Sequence, residues 1–77
     1  MKELEAIRQE IEQNIGKKVW VKAKRGRSKS LVNEGILGDS YPSVFTIVVE
    51  KEGEPGILSY TYGDILTNHL ELRVLDE

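Results

Sequence analysis

Apolar positions recur first at three- and four-residue spacing and then, beyond a glycine, at every second residue. Leu4, Ile7, Ile11 and Ile15 fall on one stripe, which predicts an amphipathic helix over residues 2–15. Glu3 and Glu5 occupy its first turn, where carboxylates favour the helix dipole, and Arg8 is spaced to meet Glu5 and Glu12. Gly16 is its stop signal, with Lys17 and Lys18 just beyond. A lone helix of this length is marginal in water, so its stripe must dock on the remaining structure.

From Val19 the period is two. Val19, Val21 and Ala23 face one way and Trp20, Lys22 and Lys24 the other, which describes a half-buried strand with a basic outer face. Arg25-Gly26-Arg27-Ser28 reads as a hairpin connection into a second strand, Lys29 to Leu37. Within that strand Leu31 and Ile36 have opposite parity and Gly35 stands between them, so a bulge or sharp bend is expected there. Val44-Phe45-Thr46-Ile47-Val48-Val49 is apolar on both alternating faces and suits a central strand covered on both sides. The acidic stretch Glu50 to Gly56 reads as a loop into a fourth strand, Ile57 to Tyr62. Asp64 then caps a helical turn over Ile65-Leu66-Thr67, and Leu70, Leu72 and Val74 alternate with Glu71, Arg73 and Leu75 in a fifth strand.

Together these elements predict a mainly β fold. An N-terminal helix over 2–15 precedes a five-stranded antiparallel small barrel, SH3-like or Sm-like, over 19–75, the whole of 1–77 forming a single domain. The alternative is an open curved sheet with the helix across its concave face.

Composition narrows the chemistry. The absence of cysteine excludes disulfides, thiolate metal sites and a cysteine nucleophile. One histidine, His69, and no phosphate-cradling glycine loop argue against an enzyme, and no cofactor or metal is called for. Asp39 and Asp64 stand at turn positions suited to local hydrogen bonding. No apolar run is long enough for a membrane span or a signal peptide, so a soluble cytoplasmic protein is expected.

The formal charge of −2 hides a division that changes the picture most. Seven basic residues and no acidic one lie between Lys17 and Lys29, leaving four basic against thirteen acidic elsewhere. Lys22 and Lys24 share a strand face with Trp20, and Arg25, Arg27 and Lys29 carry the charge around the turn. Tyr60 and Tyr62, at alternate positions, add ring surface. Such a face can contact phosphates while rings stack on bases, or this hairpin or an exposed barrel edge can contact another protein. The competing reading is architectural: lysines keep an edge strand soluble, Trp20 covers the helix end, and the tyrosines are core residues with wet hydroxyls.

A family pattern runs through the same residues. Gly16-Lys17-Lys18-Val19, Val21-Lys22-Ala23, Gly26-Arg27 with Lys29, Gly35-Ile36-Leu37, Tyr41-Pro42-Ser43-Val44-Phe45, and Ser59-Tyr60-Thr61-Tyr62 with Asp64 and Leu66-Thr67 together resemble the Veg family of small proteins of Gram-positive bacteria. Two positions depart from that pattern: Lys24 stands where the family usually has asparagine, and Trp20 where it has a small polar residue. The resemblance implies a cytoplasmic, non-enzymatic protein that stimulates biofilm formation by relieving a transcriptional repressor of matrix genes. A transcriptional regulator is then the implied partner, with nucleic acid the alternative. Pairing of two copies through a strand edge or a helix flank stays open.

Overall fold

The computed structural model describes residues 2–75. In chain order it contains α1 (Lys2–Gln13), β1 (Lys18–Arg25), β2 (Lys29–Ser40), β3 (Val44–Lys51), β4 (Glu54–Thr61), α2 (Tyr62–Leu66) and β5 (Leu70–Val74). All strand pairs are antiparallel, in the order β4-β3-β2-β1-β5. The expected fold class is therefore present, a helix followed by a mainly β, five-stranded sheet. The ladder is not closed, however: β4 and β5 are its two edges and no pairing joins them among the described residues.

The barrel-like bend comes from β2. Its first part, Lys29–Ile36, pairs with β1, whereas Ile36–Ser40 pairs with β3. The register shift lies between Leu37 and Ser40 and not at Gly35 as the parity argument predicts. There the Thr46 hydroxyl accepts from the Asp39 amide at 2.9 Å. No parity switch occurs, because Ile36 faces outward and is 43% exposed. Gly35 serves another purpose: a Cβ on it would lie 2.3 Å from the Val48 carbonyl oxygen, so the neighbouring strand's backbone approaches where only glycine leaves room.

The core lies on one face of the sheet. Val19 and Val21 of β1, Leu37 of β2, and Phe45, Ile47 and Val49 of β3 are buried, joined by Ile11, Tyr62 and Leu70. Phe45 packs its ring against Tyr60 and Tyr62, with centroids 6.0 and 5.4 Å away. Ile7 and Ile11 of α1 meet Leu37, Ile65, Leu72 and Val74 around one small hollow, so both helices cover that same face. β3 is consequently covered on one side only. Its outward Val48 is 38% exposed, and the strand in the middle of the sheet is β2.

Element ends differ from the sequence reading for local reasons. α1 stops at Gln13, and Ile15 is exposed, because a turn over 14–16 reaches a left-handed Gly16 (φ 90°). Gly16 N–H then donates to the Leu37 carbonyl and Leu37 N–H to the Lys17 carbonyl, which ties the connector to β2. The expected acidic loop is a tight hairpin: Lys51 pairs with Glu54, and Glu52 and Gly53 both take positive φ (54° and 80°). Pro55 is tolerated because β4 is an edge strand. Thr61, not Asp64, caps α2; Asp64 answers from the third position in a capping box.

Candidate binding face

Strand alternation and register set the outer face of β1, β2 and β5. Trp20 is half-buried there between Glu34 on β2 and Arg73 on β5, its direct partners in the ladders. The Arg73 guanidinium lies 5.7 Å from the indole centroid and is held by Glu71 at 2.8 Å. One row along, Lys22 stands between Val32 and Glu71. Lys24 follows, exposed, at the point where β1 runs past the end of β5.

Beyond that point β1 and β2 continue as a two-stranded ribbon. Arg25 pairs with Lys29 across the hairpin, and Gly26 (φ 71°) makes the turn. Arg27 and Lys29 are exposed; the Arg25 side chain lies outside the described groups. Among the described residues, Lys22, Lys24, Arg27 and Lys29 form no ion pair with the chain's own carboxylates. Lys18, nearer the body, does meet Glu34 at 3.8 Å, but both side chains are about half exposed and such a pair is weak. Like charges this close repel and add nothing to folding, and Lys24, Arg27 and Lys29 stand exposed to solvent.

The tyrosines are elsewhere. Tyr60 is paired with Phe45 on the core side of the sheet, and Tyr62 is 1% exposed with its hydroxyl hydrogen-bonded to Ser40 Oγ. The ring surface expected from them beside the lysines is not there, because both rings pack on Phe45 on the core side. Arg73 and Glu71 belong to the face although only their alternation in the last strand is legible in the sequence; that β5 returns to pair with β1 is a tertiary fact. His69 accepts or donates one bond at Nδ1 to Thr67 Oγ1, 2.7 Å away, and is exposed. Beside the ribbon, Lys22, Lys24, Asn68, Leu70 and Glu71 line an open depression of about 480 Å³. No group of three or more potential metal ligands occurs among the described residues, and no helix among them is long and apolar enough to cross a membrane.

Chemically, this face offers fixed positive charge around one half-buried indole. It can hold carboxylates or phosphates. A family model described as the biofilm formation stimulator VEG matches residues 2–73. No curated protein matches the chain.

Proposed function

This chain belongs to the VEG family of biofilm formation stimulators, and from that premise we propose that it is a non-enzymatic regulator that works by binding another protein through the β1–β2 ribbon. The partner is a transcriptional regulator of matrix genes, met through an acidic patch on its surface, and the site is Trp20, Lys22, Lys24, Arg25, Arg27 and Lys29. The observation that carries this reading is a set of four cations, Lys22, Lys24, Arg27 and Lys29, that form no ion pair among the described residues and lie on the β1–β2 ribbon that carries the half-buried Trp20. Complementary charge between these cations and an acidic patch speeds encounter and sets the orientation of docking.

Nucleic acid is the weaker reading. Single-strand binders combine basic grooves with several stacking rings, and here Tyr60 and Tyr62 face the core while the Trp20 ring is engaged by Arg73. One pair of experiments separates the two. In cells, Lys22→Glu, Lys24→Glu, Arg27→Glu and Lys29→Glu together abolish stimulation of biofilm formation while the purified variant keeps its melting temperature; full retention of stimulation refutes the ribbon as the contact. In vitro, the wild-type protein shows no binding to RNA or DNA that weakens with salt. A log-log salt slope of about −0.7 per phosphate contacted would transfer the ribbon to nucleic acid.

A further inference from the structure

β5 is an edge strand, and its backbone has donors and acceptors to spare. Lys24 N–H donates to the His69 carbonyl at 3.0 Å and Leu75 N–H to the Lys18 carbonyl at 2.8 Å, so the odd-numbered residues of this strand turn their backbone groups toward β1. Leu70, Leu72 and Val74 point theirs away from the sheet, where no hydrogen bond receives them among the described residues. Proteins usually blunt such an edge with proline, lysine or a bulge. At the opposite edge Pro55 has no N–H to offer, and the Thr61 N–H is taken by the Asp64 carboxylate at 3.4 Å. β5 carries no such guard: it has no proline or lysine, and its register with β1 is unbroken. The open depression of about 480 Å³ borders it, lined by Leu70 and Leu72 from one face and Glu71 from the other.

We propose that a second copy of the chain pairs here, β5 against β5 and antiparallel, about a twofold axis at Leu72, so that the two sheets run on as one. The free backbone groups belong to even-numbered residues, and an antiparallel ladder sets such residues opposite one another. Three registers then pair most of the strand, centred on Glu71, Leu72 or Arg73. The first sets two carboxylates face to face and the last two guanidinium groups. Centring on Leu72 instead sets Glu71 opposite the partner's Arg73 and Arg73 opposite the partner's Glu71, in the closer, non-hydrogen-bonded positions, with Leu70 opposite the partner's Val74. Arg73 is free to serve both carboxylates. Its side chain is 70% exposed, and its own Glu71 at 2.8 Å uses only part of the guanidinium fork. The order acid, leucine, base is therefore complementary to itself when turned through half a revolution, which selects this chain as the occupant of the edge. The inference stands apart from the proposed ribbon contact, which uses the β1–β2 hairpin.

Sedimentation velocity over a concentration series tests it. The wild-type chain shifts from monomer to dimer with rising concentration. Glu71→Arg and Arg73→Glu, each at an exposed position, weaken the dimer about tenfold without lowering the melting temperature, because each sets like charges opposite one another twice across the axis. The double variant Glu71→Arg/Arg73→Glu restores it, since the exchange returns opposite charges to both places. Register is read separately by Leu72→Cys: the chain has no cysteine of its own, and the axis brings this position within about 5.5 Å of its copy, so mild oxidation links two chains covalently. A chain that stays monomeric into the high micromolar range, an assembly that grows beyond two copies, a double variant no better than the single ones, or a Leu72→Cys protein that does not cross-link overturns the proposal. Because biofilm stimulation is scored separately with the ribbon variants, failure here leaves that reading standing.

Discussion

Replacing Gly35 by alanine tests the sheet's bend at its tightest point. The added methyl carbon would sit 2.3 Å from the Val48 carbonyl oxygen and 2.9 Å from Ile47 Cγ2. A carbon–oxygen contact ordinarily closes to about 3.3 Å, so roughly an ångström must be found. The obstacle is backbone and cannot rotate away, and Ile47 is wholly buried. Overpacking of this kind costs about 1–3 kcal/mol or somewhat more. The gain from restricting the unfolded glycine is only about 0.5–1 kcal/mol. A net loss of about 1–2 kcal/mol follows, a sizeable fraction of the roughly 4–12 kcal/mol that stabilises 77 residues. At about 4–8 °C per kcal/mol for a domain of this size, the melting midpoint falls by roughly 4–16 °C. Thermal denaturation followed by circular dichroism measures it, with Gly26→Ala as the reference. Gly26 has nothing within 4 Å and only its φ of 71° to resist a side chain, so its cost is about 1 kcal/mol. A Gly35→Ala protein melting within 2 °C of wild type would falsify the close approach and with it the account of why β2 carries glycine there.

Two further outcomes bear on the packing around α2. Thr61→Ala removes the hydroxyl that accepts from the Asp64 amide at 3.1 Å and leaves the reciprocal half of the capping box unsupported; chemical denaturation should show a loss of about 1 kcal/mol, and Thr61→Ser should recover most of it. Tyr62→Phe keeps the ring stacked on Phe45 but deletes the bond to Ser40 Oγ, so about 1 kcal/mol is lost, with biofilm stimulation unchanged. Loss of stimulation in a stably folded Tyr62→Phe protein would instead assign the hydroxyl a role at a contact surface.

The helix, the five strands and the split of charge were legible because each is written in local order. The stripe Leu4, Ile7, Ile11 gives the helix, and the alternation from Val19 to Lys24 places Trp20 beside Lys22 and Lys24 whatever the rest of the chain does. The capping box at Thr61 was legible too, as a threonine three residues before an acid, but the aspartate drew the cap to itself. Gly35 predicts a bulge or sharp bend from the sequence, whereas the structure uses it to admit the Val48 carbonyl, since a sequence does not say whether a glycine bends its own strand or makes room for another.

What the chain decides by itself, then, is which side chains share a face within one element, because that depends only on the periods of helix and strand. What the tertiary structure alone decides is which faces meet. β5 returning to β1 sets Arg73 over Trp20, the pairing of β4 with β3 sets Tyr60 opposite Phe45 on the core side, and the packing of both helices on that one side leaves Ile36, Val48 and Ile57 exposed on the other. Those outcomes rest on pairings between residues far apart in sequence, whose free energies no local window contains.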